Sequence, residues 1–126
     1  MRSCAELADL SMKMAMDGDR DGWLALYAED ATVEDPVGCS VWDPTGQGHT
    51  GKKAIAEFWD RAIGPNRGLN FRLRERYKGG EDELASVLTV STPLADGNQY
   101  EFGMVTLLRR SPHGLIQRLR AFWKND

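Results

Sequence analysis

Hydrophobic positions in the first part of the chain recur at helical spacing. Leu7, Leu10 and Met14 lie three or four positions apart, which predicts an amphipathic helix that ends at Gly18. Asp19 is then in place to cap a short second helix. The apolar residues of that second helix are Trp23, Leu24, Leu26 and Tyr27. The chain is therefore predicted to begin with two helices joined by a Gly-Asp turn.

A strand and a long loop are predicted to follow these helices. Thr32 and Val33 are β-branched and favour a strand over residues 31–37. Pro36 should end or distort that strand, because proline cannot donate a hydrogen bond to a neighbouring strand. Residues 38–51 are rich in Gly, Pro, Asp and Thr, which indicates a loop with a short extended piece.

A third helix is predicted over residues 52–63. Thr50 is expected to cap its start, and Gly64-Pro65 is expected to end it. Its apolar face consists of Ile55, Phe58, Trp59 and Ala62.

The second half of the chain alternates between apolar and polar positions, as strands do. Over residues 70–78, Phe71, Leu73 and Tyr77 fall on one side of the pattern and the arginines on the other. Further strands are predicted over residues 83–93, 99–109 and 114–124, with turn signals at 96–98 and 111–114. Helices followed by antiparallel strands indicate an α+β fold, built as one domain over residues 1–126.

Composition excludes several classes of protein. The chain has 126 residues, of which 41% are hydrophobic and 28% charged, so it is predicted to be globular. A formal net charge of -3 argues against nucleic acid as a partner, since that role needs a basic surface. We expect the arginines to cover solvated sheet faces. The start of the chain lacks the apolar run of a signal peptide, and no stretch is as apolar as a membrane span, so a cytoplasmic location is predicted.

The cysteines and histidines predict no metal site. Cys4 and Cys39 could pair, but they form no CxxC motif or Cys/His cluster, so neither a zinc site nor another cofactor is expected. His113 falls in a predicted turn and should be exposed. His49 precedes the third helix, where it could border a pocket, although exposure to solvent is the favoured expectation.

A curved sheet with helices on its concave face leaves room for an apolar pocket. The residues expected to line it are Trp23, Phe58, Trp59, Phe102, Met104, Leu119 and Trp123. Each tryptophan on its own is more often a core residue than a ligand contact. Together they favour a small hydrophobic molecule as partner.

The segment over residues 27–38, which contains Val-Glu-Asp-Pro-Val-Gly, resembles ketosteroid isomerase and the wider family of SnoaL-like proteins related to nuclear transport factor 2. Residues 51–59 and 113–123 support this resemblance. It implies a cystatin-like cone of three helices against a strongly curved mixed, mostly antiparallel sheet. It also implies a homodimer formed through the outer face of that sheet.

The resemblance places Asp35 at the position of the isomerases' catalytic base. In those enzymes this Asp removes a proton next to a steroid ketone and returns it two carbons away. A carboxylate in an apolar cleft is poorly solvated, so its pKa rises and it becomes a better base near neutral pH. The alternative is a loop Asp that caps a turn beside Pro36. Glu34 should point the opposite way, to the surface or an interface, and Asp30 should belong to a turn or cap.

The chain departs from the isomerases where they stabilise the enolate oxygen. The resemblance puts the family's Tyr on the first helix at Ser11 and its protonated Asp on the penultimate strand at Thr106. A supporting Tyr falls at Trp59, and another is kept as Tyr27, which is expected to line the pocket as well. Aliphatic hydroxyls are weaker donors than a phenol or a carboxylic acid, so a steroid isomerase built this way should be slow.

Three functions remain open at the level of sequence. The first is an isomerase or related lyase that acts on a cyclic ketone, steroid-like or polyketide-like, with Asp35 as base and Ser11 and Thr106 near the oxygen. The second is a binding protein for a steroid-like or aromatic ligand, in which Asp35 only orients a polar end. The third is a dimerising scaffold with a filled interior.

Overall fold

The computed structural model describes residues 1–124, so the last two residues of the predicted domain lie outside the described part. Helix α1 spans Cys4–Asp17. It begins with a capping box between Ser3 and Glu6 and ends at Gly18. Gly18 adopts a left-handed conformation (φ 73°), which glycine takes readily because it has no Cβ. Helix α2 spans Arg20–Leu24, and the Asp19 side chain accepts a hydrogen bond from the Gly22 N–H, as predicted.

The next elements differ from the prediction at their boundaries. Strand β1 is Tyr27–Glu34, so it starts where the second helix was expected to continue and ends before Pro36. Strand β2 is the short segment His49–Thr50 and pairs with β1. Thr50 therefore does not cap helix α3, which spans Lys52–Phe58 and is preceded by Gly51 at φ 87°. A π-helical turn, Trp59–Ile63, continues α3 to the predicted end.

The remaining strands complete one mixed sheet. Strands β3 (Asn70–Gly79), β4 (Glu83–Pro93), β5 (Gln99–Arg110) and β6 (Ile116–Trp123) form antiparallel pairs in sequence order. Strand β1 adds to β6 in parallel, which gives the order β2-β1-β6-β5-β4-β3. The α+β class with a mixed, mostly antiparallel sheet is confirmed. Within residues 1–124, no helix is both long and apolar enough to cross a membrane.

A bulge in β3 reverses the predicted orientation of its second half. Leu73 pairs with Leu88 and Glu75 pairs with Val87, so Arg74 is an extra residue without a partner. After one extra residue, every following side chain moves to the other face. Tyr77 therefore points outward, with 60% of its surface exposed. Arg76 points inward, and the expectation that the arginines all cover solvated faces is wrong at this position.

The core lies between the helices and the inner face of the sheet. Its main cluster joins α1, α2, α3 and β1, and Leu7, Tyr27 and Ile55 in it are fully buried. A smaller cluster, centred on Leu88 and Met104, covers the middle of β4 and β5. The inner face of the sheet therefore positions the side chains considered next.

Candidate functional site

Asp35 is held in place from both sides by strand β6. Glu34, immediately before it, points to the other face and pairs with Arg118 (3.0 Å) and Arg120 (3.5 Å). Glu34 therefore points away from the inner face, as predicted. Only 9% of its surface is exposed, because the two arginines cover it, so its charge is paired and not freely solvated. The Trp123 indole Nε1–H donates to Asp35 Oδ1 at 2.7 Å. These contacts turn the Asp35 carboxylate towards the inner face.

The surroundings of Asp35 make its carboxyl group a weaker acid. Burial raises the pKa of Asp35 to about 6, and the hydrogen bond from Trp123 opposes part of that rise. The side chain is half-buried because one side faces a cavity. Asp35 accepts its hydrogen bond from an indole N–H and not from a backbone N–H of a turn, which disfavours the turn-capping alternative. A carboxylate of this kind can accept a proton near neutral pH.

Two adjoining compartments open beside Asp35. The inner compartment, of about 60 Å³, lies between α1 and the sheet. The outer compartment, of about 240 Å³, lies towards the loop over residues 38–48 and the ends of β4 and β5. Asp35, Ile63, Phe71 and Met104 line both. Asp35 is therefore at the junction, reachable from either compartment.

The structure brings the predicted polar residues together. Ser11 and Thr106 line the inner compartment with Asp35. The Ser11 hydroxyl accepts a hydrogen bond from Trp23 Nε1 at 3.2 Å. Of the predicted apolar lining, Trp23, Leu119 and Met104 line the inner compartment, and Phe58, Phe102, Trp123 and Met104 line the outer one.

Tyr27 and Trp59 differ from the expectation, since neither lines a compartment. Both pack behind Trp23, with ring centroids 4.7 Å and 5.1 Å from it. Burial raises the pKa of Tyr27 above its ordinary value, the Ser11 hydroxyl opposes this rise and the Asp35 charge adds to it. The Tyr27 hydroxyl has no hydrogen-bond partner of good geometry among the described residues. These rings therefore support the wall of the cavity from behind.

Arg76, Ser86 and Trp42 also line the compartments, although they were not predicted to do so from the sequence. Trp42 packs against Trp123 at 5.5 Å, and a tryptophan inside an otherwise polar loop was the signal that could have found it. Arg76 and Ser86 carried no such signal. The bulge at Arg74 cannot be read from the alternation of residues, and it is the bulge that turns Arg76 inward.

The two histidines have different surroundings. His49 is only 7% exposed and packs on the Phe58 ring at 4.8 Å, so the favoured expectation of exposure is wrong. Burial lowers the pKa of His49, and its Nε2 has no hydrogen-bond partner in the described part of the chain. It lines neither compartment. His113 is exposed, as predicted.

Other candidate groups lie away from the cavity. Asp30 belongs to β1, where it accepts a hydrogen bond from Gln117 Nε2 at 3.0 Å, so its assignment to a turn or cap is wrong. Cys4 is buried and Cys39 exposed, and they are not bonded to each other. Residues 1–124 contain no group of three or more acidic, histidine or cysteine side chains placed to hold a metal.

Comparison with known proteins connects this geometry to one family. The SnoaL-like domain matches residues 11–119. The chain is 33% identical to a steroid Δ-isomerase of Nocardioides simplex over 99 residues, which are 79% of this chain and 72% of that protein.

Two solved structures extend the match to nearly the whole chain. The Δ5-3-ketosteroid isomerase of a Mycobacterium species is 37% identical with a TM-score of 0.88, covering 98% of this chain and 95% of that one. A Mycobacterium tuberculosis protein in complex with estradiol-17β-hemisuccinate is 34% identical, with the same TM-score and coverage. The chain belongs to the SnoaL-like family, in its ketosteroid isomerase-like branch.

Proposed function

We propose that this protein binds a flat cyclic ketone, steroid-like or polyketide-like, and moves a carbon–carbon double bond within it by proton transfer through Asp35. The observation that carries the proposal is a carboxylate with a pKa of about 6 at the junction of two apolar compartments. The relatives that are steroid Δ-isomerases support the reaction type.

The reaction needs one base and no change of oxidation state. The Asp35 carboxylate removes a proton from the carbon between the ketone and the double bond, and the released electron pair forms a dienolate. Protonated Asp35 then returns the same proton two carbons away, and the electrons return to the carbonyl. The Ser11 and Thr106 hydroxyls are the proposed donors to the enolate oxygen, since both line the inner compartment with Asp35.

Ultraviolet absorbance of a β,γ-unsaturated ketosteroid tests this proposal. Conversion to the conjugated ketone should be slow in the wild type and at least about 10²-fold slower in Asp35→Asn, because the amide cannot accept the proton. Asp30→Asn is the matched control, since Asp30 is an exposed carboxylate on the preceding strand and should leave the rate unchanged. Equal rates for wild type and Asp35→Asn would remove Asp35 from the mechanism.

Binding without catalysis is the second candidate. Ser11 and Thr106 are neutral hydroxyls, and a relative that forms a complex with estradiol-17β-hemisuccinate favours a binding role. Tryptophan fluorescence titrated with steroids and flat phenols measures it, because Trp23, Trp42 and Trp123 line the compartments. Quenching in wild type and Asp35→Asn alike, with no turnover by either, would support binding alone. The compartments beside Asp35 count against the filled scaffold.

We also propose the domain architecture and the assembly that the sequence led us to expect. We propose a single domain in which three helices and the sheet form the cone. We propose that two copies pair through the outer face of the sheet, where Val105, Leu107 and Phe122 are 38–39% exposed. A cytoplasmic location stays a prediction.

A further inference from the structure

We infer that Arg76, together with Ser86 and Thr106, forms a cationic oxygen-binding site in the inner compartment, which takes the ketone, enolate or phenolate oxygen of the ligand. This inference rests on the proposed function, since it specifies which end of the ligand enters the inner compartment. It also names the chemical class that fits, a planar ring system that carries an acidic hydroxyl or an enolisable ketone.

The pairing of the strands places the three residues on one line. Arg76 is opposite Ser86, Ser86 is opposite Thr106, and Thr106 is opposite Ala121. All four line the inner compartment. Since neighbouring strands lie about 4.8 Å apart, the line gives a row of polar groups across β3, β4 and β5 that stops at the methyl group of Ala121.

Asp35 stands at the other end of this line. Glu34 pairs with Arg120, so the next position in the parallel register sets Asp35 beside Ala121. A hydrogen bond from Val37 N–H to the Ala121 carbonyl (2.8 Å) holds the loop there. The base and the polar row therefore flank the small Ala121 side chain. This is the arrangement that enolisation needs, with the proton acceptor on one side of the reacting carbons and the oxygen donors on the other.

The Arg76 guanidinium has N–H donors that the described residues do not use. Its Nε–H donates to Ser86 Oγ at 3.3 Å, and its Nη2 forms an ion pair with Asp9 on α1 at 2.7 Å. The buried Nη2 nevertheless makes no hydrogen bond of good geometry to any described residue. A guanidinium has five N–H donors, so several remain for a ligand. Asp9 is 61% exposed, so water screens its charge and Arg76 stays only partly neutralised.

The positive charge of Arg76 makes the site a stronger hydrogen-bond donor to an oxyanion than neutral hydroxyls alone would be. A hydrogen bond from a cation to an oxyanion is roughly twice as strong as one between neutral groups. The Ser86 hydroxyl accepts from Arg76, so its proton is directed away from the guanidinium and is available to the ligand oxygen. Thr106 adds a second hydroxyl beside it. The site would therefore favour an ionised oxygen over a neutral one.

The ionisation of bound 2-naphthol tests this inference. The titrations are made in an Asp35→Asn background, so that Asp35 does not titrate in the same range. We expect Arg76→Met to weaken binding of the naphtholate about 10-fold or more relative to the neutral phenol, which raises the ionisation pH of the bound probe by about 1 unit or more. Asp9→Asn should shift it the opposite way, because it removes the charge that partly neutralises Arg76.

Two further variants separate charge from structure. Arg74→Met removes the exposed arginine at the bulge and should leave the ionisation of the bound probe unchanged. Arg76→Lys keeps the charge and should restore part of the shift even if Arg76→Met disturbs packing. Binding of naphthol with the same ionisation pH in the parent and in Arg76→Met would overturn this inference and leave the proposed function standing. A parent protein that binds neither naphthol nor a ketosteroid would overturn both.

Discussion

At the scale of single residues, the chemistry depends on the surroundings of Asp35. Its carboxylate accepts a hydrogen bond from the Trp123 indole and otherwise faces a cavity with mostly apolar walls. One neutral hydrogen bond only partly replaces the water that the carboxylate loses on folding. The folded protein therefore favours the protonated form of Asp35 more than the unfolded chain does, and this preference links the proposed proton transfer to stability.

Stability should respond to pH through this residue. The pKa of Asp35 rises from 3.8 in the unfolded chain to about 6 in the folded protein. Well below pH 3.8 the group is protonated in both states and costs nothing; the cost of the buried charge grows as the pH rises from there and is complete above pH 6. Asp35→Asn should therefore be more stable than wild type by about 1–3 kcal/mol at pH 8 and nearly equal to it at pH 4.

Urea unfolding of the two proteins at both pH values measures this difference. Asp30→Asn is the control, since it makes the same substitution at an exposed position on β1, away from the cavity. A constant difference between Asp35→Asn and wild type from pH 4 to pH 8 would show that Asp35 is well solvated.

At the scale of elements, the features that are local in sequence were predictable. The end of α1 at Gly18 and the cap of α2 by Asp19 each depend on one or two neighbouring residues, and both were found. The inward turn of Arg76 depends on how β3 pairs with β4, which the chain does not display locally. Asp35, Ser11 and Thr106 could be proposed from the sequence as one site because the resemblance to the isomerases places all three, whereas no such guide pointed to Ser86 and Arg76.

Strand β2 lies so close to β1 that a side chain larger than hydrogen at Gly48 should strain the structure. Gly48 lies before β2 at φ 86°, and a Cβ there would meet Glu34 Cγ at 2.9 Å and the Val33 carbonyl oxygen at 3.3 Å. Gly48→Ala should therefore lower the free energy of unfolding by about 1–2 kcal/mol for the backbone conformation alone, and further for the displacement of Glu34.

Gly97→Ala is the matched control for this effect. Gly97 has nearly the same conformation, φ 87°, but nothing lies within 4 Å of its added Cβ. Urea unfolding should show the larger loss for Gly48→Ala. Equal losses in the two variants would mean that Glu34 moves away from the added Cβ at no cost, which would contradict this prediction.

At the scale of the whole molecule, the two faces of the sheet carry different groups. Its inner face carries the cavity, and its outer face carries the Glu34 ion pairs and exposed apolar side chains. Val105 is opposite Phe122, and Val87 flanks Val105 on the other side, so these residues form one continuous patch. A patch of this kind is typical of an interface between subunits.

A charge in that patch should weaken association. Leu107 is 39% exposed on β5, and Leu107→Lys should raise the dissociation constant of the proposed dimer at least about 10-fold, because a lysine would have to lose its water there. Sedimentation equilibrium measures the change. Val41→Lys, at a residue 81% exposed in the loop, should have no effect. A wild type that is monomeric at all concentrations tested would contradict the proposed interface.

The most direct test of the account is the pKa of the Asp35 carboxyl group, measured from its ¹³C NMR shift as a function of pH, with Asp35→Asn to assign the signal. Burial beside the cavity predicts a midpoint near pH 6. A midpoint near pH 4, the ordinary value for an exposed Asp, would contradict the account, since the carboxylate would then be fully solvated and a poor base.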